Sequence, residues 1–117
     1  ALPNLATRFS HDRLNRSAQQ LASDLRWARQ LAITSHLRTH LRFISEETYL
    51  IEKEDPITGW AAAAPPAELY PGIRLLRGGM PQFDPKGVVV PTASFVLEGR
   101  GESRMVIVSM TGRVRIG

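Results

Sequence analysis

Small and apolar residues set the reading frame of the first third of the chain. Leu14, Ala18, Leu21, Leu25, Ala28, Ala32 and Ser35 recur at alternating spacings of four and three, the stripe of an amphipathic helix. After Pro3 no Gly or Pro interrupts the pattern, and Arg8, Asp12 and Arg16 stand at i, i+4 intervals where opposite charges support one another. One helix is predicted over about residues 5–35. At about 100° per residue, Trp27 and Leu31 fall nearly opposite Leu25, beside Arg13 and Arg16, so the helix carries a second, smaller apolar spot.

Past Ser35 the period changes from 3.6 to two. Leu37, Leu41 and Phe43 alternate with Arg38, His40 and Arg42, and Ser45-Glu46-Glu47 turns the chain into Tyr49-Leu50-Ile51, which predicts a β-hairpin. Residues 54–71 hold Asp55-Pro56, Thr58-Gly59-Trp60, four alanines, Pro65-Pro66 and Pro71, and so read as a long irregular connection. Further strands are expected at 73–77, around 82–83, and at 94–98, 104–109 and 112–116. The last two are joined by Ser109-Met110-Thr111-Gly112, where glycine offers a positive φ. The predicted class is α+β: one long N-terminal amphipathic helix packed on antiparallel sheet, without internal repeats.

Composition narrows the chemistry. A chain of 117 residues has room for one domain around one core, and 43% hydrophobic with 22% charged residues is ordinary globular usage. With no cysteine, disulfides, thiolate catalysis and cysteine-held zinc or iron–sulfur sites are excluded. No run approaches the roughly 18 apolar residues that span a bilayer, and no signal peptide is visible. The chain opens Ala-Leu-Pro-Asn-Leu without an initiator methionine, so an upstream segment, and localisation information with it, is expected to have been processed or cut away.

Charge adds a partner class. The net charge is +4, and the bases are 13 arginines with only Lys53 and Lys86 as lysines; arginine grips phosphate or carboxylate in a fork. Residues 1–42 sum to +5, 43–70 to −5 and 71–117 to +4, a basic–acidic–basic order that attracts a polyanion or further copies of the chain.

Individual side chains offer few catalytic constellations. His36 and His40 stand four apart, as zinc ligands on a helix do, but they fall where the period switches and lack a third ligand, so plain surface positions are expected; His11 is isolated. No Gly-x-Ser-x-Gly, phosphate-loop lysine or converging carboxylate pair is present, and no enzyme, metal or cofactor is expected. The acids Glu46, Glu47, Glu52, Glu54 and Asp55 lack the ligand spacing of a calcium loop and read as a solvated hairpin end. Arg29, at the edge of the apolar stripe, is expected to pack its stem and pair its head with a carboxylate or carbonyl. Most informative is Gly112-Arg113-Val114-Arg115: on a strand, Arg113 and Arg115 share one face about 6–7 Å apart, with Val114 and Ile116 on the other. That pair fits a solvated strand face, a subunit contact or a phosphate backbone.

Several of these pieces, in this order, resemble the GspH/FimT family of minor pilins and pseudopilins. They are the Ala-Leu-Pro-Asn-Leu start, Leu21-x3-Leu25-x2-Ala28-Arg29-x2-Ala32-Ile33, the Phe83-Asp84-Pro85-x-Gly87 turn, and the closing Val106-Ile107-Val108-Ser109-x2-Gly112-Arg113-Val114-Arg115-Ile116. The resemblance implies a type IV pilin-like fold. It also implies an upstream prepilin-peptidase site with about 20–25 apolar residues that span the inner membrane before entering a filament core. The globular domain would then lie outside the cytoplasm, with other pilins or pseudopilins as partners. Some relatives carry a disulfide that this chain does not make.

Competence-associated members of the FimT branch are understood to contact DNA through a terminal Gly-Arg-x-Arg. The resemblance thus implies double-stranded DNA as a partner of Arg113 and Arg115, with Arg100 and Arg104 expected in support. Trp27 and Leu31 are expected to contact a neighbouring subunit. Three roles stay open: a structural minor pilin that assembles into or primes a type IV pilus-like filament, a subunit of that kind that captures DNA for uptake, and a type II secretion pseudopilin without a DNA role.

Overall fold

The computed structural model describes residues 5–117, with side chains from His11 onward. The Ala-Leu-Pro-Asn start and the Arg8 side chain lie outside the described residues. Helix α1 (Leu5–Ser35) forms the spine, and Leu14, Ala18, Leu21, Leu25, Ala28 and Ala32 are each 0% exposed, so the stripe of the sequence is the buried face. Arg16 and Asp12 pair at 3.4 Å across one turn. The helix stops at His36, which takes a left-handed φ of 56° immediately after Ser35.

Strands β1 (Thr39–Phe43) and β2 (Thr48–Asp55) form the expected antiparallel hairpin, with Leu41 opposite Ile51. Its turn is closed by the Ser45 hydroxyl, which accepts from the amides of Glu47 and Thr48 at 3.2 and 3.1 Å. The segment expected to be irregular instead contains β3 (Gly59–Ala62) and β4 (Ala67–Glu68), both antiparallel to β2. The breakers turn the chain rather than exclude it from the sheet: the Asp55 carboxylate accepts from the Ile57 amide at 2.8 Å, and Gly59 adopts φ 89°. The remaining strands are β5 (Arg74–Arg77), β6 (Gln82–Phe83), β7 (Ala93–Gly99), β8 (Glu102–Val108) and β9 (Val114–Ile116), within two residues of the sequence reading.

Two sheets result. One runs β3-β2-β1-β6, with β4 also on β2; the other runs β5-β7-β8-β9. Helix α1 lies against β1 and β6 of the first and β7, β8 and β9 of the second, so its stripe seals both. The core joins that stripe to Leu41, Tyr49, Phe83, Phe95, Leu97, Val106 and Val108, and Phe43 bridges the sheets with ring centroids 5.2 Å from Tyr49 and 5.6 Å from Phe95. Buried hydroxyls are satisfied: Thr39 donates to the Ala28 carbonyl at 2.7 Å, and Ser17 accepts from the Tyr70 amide at 2.9 Å.

Candidate functional site

The closing strand is fastened before its arginines are displayed. Arg29, on the flank of α1, donates from Nε to the Gly87 carbonyl at 3.0 Å, the structural role read from its position in the stripe. Gly87 and Gly112 both have positive φ, 85° and 87°, and a Cβ at either would overlap the Arg29 guanidinium. The Gly87 turn is shaped by Asp84, whose carboxylate accepts from the amides of Lys86 and Val88 at 2.9 and 3.0 Å. Arg26 adds a bond from Nη2 to the Val114 carbonyl at 3.1 Å. Gly112→Ala should therefore lower stability by about 1–3 kcal/mol, through left-handed strain and displacement of Arg29. A urea midpoint equal to that of the parent would contradict this clasp.

Val114 is buried against the core, so strand alternation turns Arg113 and Arg115 to the outer face. Arg115 stands opposite Ile107, the Arg113 carbonyl accepts from the Ser109 amide at 2.9 Å, and the two arginines line one groove of about 270 Å³ with Ile107 and Ser109. Among the described residues neither forms an ion pair or side-chain hydrogen bond, whereas Arg38, Arg42 and Arg74 are held by Glu54, Glu52 and Glu98. The structure thus brings Arg113 and Arg115 together as two uncommitted guanidinium groups.

It does not bring Arg104 and Arg100 to them. Arg104 is paired with Leu97 and shares the inward parity of Val106 and Val108, so it faces α1, where its Nε donates to Asn15 at 3.0 Å. Arg100 sits at φ 48° in the turn joining β7 to β8, about 20 Å along the sheet from Arg115 at 3.3 Å per residue. The supporting pair expected from sequence is on another face and at another end.

Trp27 is 43% exposed and Leu31 half-buried on the flank of α1 away from the core stripe. Trp27 borders a cavity of about 290 Å³ between α1, Tyr49 and Ile51 of β2, and the 64–67 segment. A polar relay lies beside it: Gln20 Nε2 donates to the Tyr49 hydroxyl at 3.1 Å, and that hydroxyl donates to Asp24 at 2.5 Å. Burial and the bond to Asp24 push the Tyr49 phenol up from its ordinary range. Sequence reasoning missed this relay, since 25 residues separate Tyr49 from Asp24 and no local pattern links them.

Of the two histidines expected at the surface, His40 departs from that reading and His36 does not. His40 is 3% exposed, stacks on Trp60 with ring centroids 4.0 Å apart, and its Nε2 meets Glu52 at 2.8 Å. His11 is bonded to Glu102 at 2.7 Å rather than isolated, and His36 is exposed at the end of α1. Among the described residues no three His, Cys, Asp or Glu side chains form a metal-binding group.

The acidic cluster divides as well. Glu46 and Glu47 are solvated, but Glu52 is only 13% exposed in its side chain and Glu54 is tied to Arg38. The hydrogen bond from Arg42, joined by His40, holds the Glu52 carboxyl below its usual range. A depressed folded-state pKa contributes stability above the unfolded value, about 4.3, and loses it as pH falls through the folded value. From about pH 5 to about pH 3, Glu52→Gln should accordingly lose less stability than the parent in urea melts; equal losses would contradict the assignment.

Helix, sheets and terminal clasp together define a type IV pilin-like fold. Solved structures similar to this chain include the minor pseudopilin EpsH of the Vibrio cholerae type 2 secretion system, with TM-score 0.76 and 17% identity over 89% of this chain and 95% of that one. The type IV minor pilin FimU of Pseudomonas aeruginosa matches with TM-score 0.72 and 18% identity over 92% of this chain and 90% of that one. No protein-family model matches the chain, and no curated protein matches it by sequence. No helix among the described residues is long and apolar enough to cross a membrane.

Proposed function

We propose that this chain is the globular part of a minor subunit of a type IV pilus-like filament, and that Arg113 and Arg115 contact the phosphates of double-stranded DNA. The filament reading is carried by the fold: a 31-residue helix whose C-terminal part seals two sheets, in an arrangement shared with both a minor pseudopilin and a minor pilin. On this reading an apolar segment upstream anchors the subunit in the inner membrane before assembly, and the domain works outside the cytoplasm. No catalytic role belongs to it.

The DNA reading is supported by Arg113 and Arg115 lining one groove on the outer face of the closing strand, neither of them held by an ion pair or a side-chain hydrogen bond among the described residues. Base readout is not expected, because α1 is committed to the core and no other helix among the described residues is available to enter a groove. A pair that neutralises about two phosphates gives affinity near 10⁻⁴ to 10⁻⁶ M at most, and about tenfold loss between 50 and 200 mM salt. Gel shifts of a mixed-sequence duplex across that range test it; no shift at the lowest salt leaves the second reading. That second reading is a type II secretion pseudopilin without a DNA role, favoured by the likeness to EpsH.

A further inference from the structure

The half-buried carboxylate of Asp24 has one oxygen without a partner among the described residues. Among the described residues, Asp12, Glu46, Glu52, Glu54, Glu98 and Glu102 each face a base, and Asp55 and Asp84 accept backbone amides. Glu47 and Glu68 are exposed to water. Asp24 receives only the Tyr49 hydroxyl on Oδ2, and its other oxygen has no donor among the described residues. The groups around it have none to spare: the Gln20 amide donates to Tyr49 at 3.1 Å and to the Glu68 carbonyl at 2.9 Å. A relay of donors thus ends on a carboxylate at the wall of an open cavity, with one oxygen left to accept from an incoming donor.

The rest of the cavity suits one kind of visitor. Trp27, one turn along α1 from Asp24, presents an indole that is 43% exposed, and an indole face attracts a cation. Ile51, Ala64, Pro65 and Ala67 supply apolar wall for a methylene stem. At about 290 Å³ the space lies just below the usual range of small-molecule pockets and holds a single long side chain. Glu68, exposed next to Ala67 of that wall and outside the ion pairs among the described residues, adds negative charge that draws a cation toward it.

We propose that the cavity between Asp24, Trp27 and Tyr49 is a socket for a basic side chain, arginine above lysine, projected by a neighbouring filament subunit. The proposal rests on the filament reading for the identity of the neighbour, and on the cavity alone for the chemistry of the ligand. Arginine is preferred because its planar guanidinium stacks on the indole while its fork reaches the free carboxylate oxygen. A shallow site of this kind is weak for a free ligand but effective for a residue held nearby by filament packing, where effective concentration is high.

The test begins with the 117-residue chain and blocked arginine (N-acetyl-arginine amide), followed through the two tryptophan indole N–H signals in NMR. The Trp27 signal should move saturably at millimolar ligand while Trp60, stacked on His40, stays in place. Blocked citrulline, equal in shape but uncharged, should bind at least tenfold more weakly, and Asp24→Asn should bring arginine down to the citrulline level. Equal response to citrulline, or a stationary Trp27 signal, overturns the socket whatever the filament result.

The second arm compares incorporation of parent, Asp24→Asn and Trp27→Leu into filaments in cells, after melts show that the variants fold. Both should incorporate severalfold less than the parent. Variants that incorporate like the parent overturn the neighbouring subunit as occupant. A parent absent from filaments overturns that occupant together with the filament reading, and leaves the arginine titration to judge the cavity's chemistry alone.

Discussion

Leu25→Ala is expected to destabilise the domain by about 2–5 kcal/mol, a large share of the roughly 5–15 kcal/mol available to a domain of this size. Leu25 is 0% exposed at the centre of the stripe by which α1 seals both sheets, so truncation removes buried methyl groups and leaves a cavity between elements that collapse only partly. Trp27→Ala, two residues along the same helix, supplies the contrast. Its indole is 43% exposed, and the cost should be about 1 kcal/mol despite the larger side chain removed. Urea melts of the two variants decide the matter: a loss below about 1 kcal/mol for Leu25→Ala, or the reverse order of the two, would place the stripe somewhere other than the core.

Replacing both Arg113 and Arg115 with glutamine should weaken DNA binding at least tenfold at low salt, enough to abolish the gel shift, while moving the melting temperature little. The two effects separate because the side chains face outward, whereas the strand is held from behind by Val114 in the core and by the bond from Arg26. Arg100→Gln should change binding much less, given its distance from the pair. Arg104→Gln should act on the helix–sheet contact with Asn15 rather than on DNA. A double variant that binds like the parent contradicts the assignment of the phosphate contact to the closing strand.

What the sequence displayed and what it concealed follow physical lines. The helix was legible because one buried face imposes its 3.6-residue period from Leu14 to Ala32, and the hairpin was legible because β1 and β2 carry clear turn chemistry between them. Strands β3 and β4 were not, because alanine-rich strands pair through their backbones and carry little side-chain signature. That miss entailed another. His40 alternates with core residues and so reads as solvent-facing, but Trp60 of β3 roofs it, and a roof supplied by a strand read as loop leaves no trace at His40 itself.

The arginines teach a different lesson. Arg113 and Arg115 were legible because the alternation with Val114 is local. Arg104 carried the same signal: its parity with Val106 and Val108 places it inward, and the glycines flanking Arg100 mark the far turn of the hairpin. The Asp24–Tyr49 contact had no such signal, since it joins side chains 25 residues apart that only the folded chain brings together.

The filament claim is tested most directly by shearing and purifying filaments from cells that make this protein at its natural level, then quantifying it by mass spectrometry against the main subunit. The account predicts a folded, processed protein present in the filament at a small fraction of the main subunit's amount. A protein that is folded and abundant in the cell envelope yet absent from the filaments would contradict it.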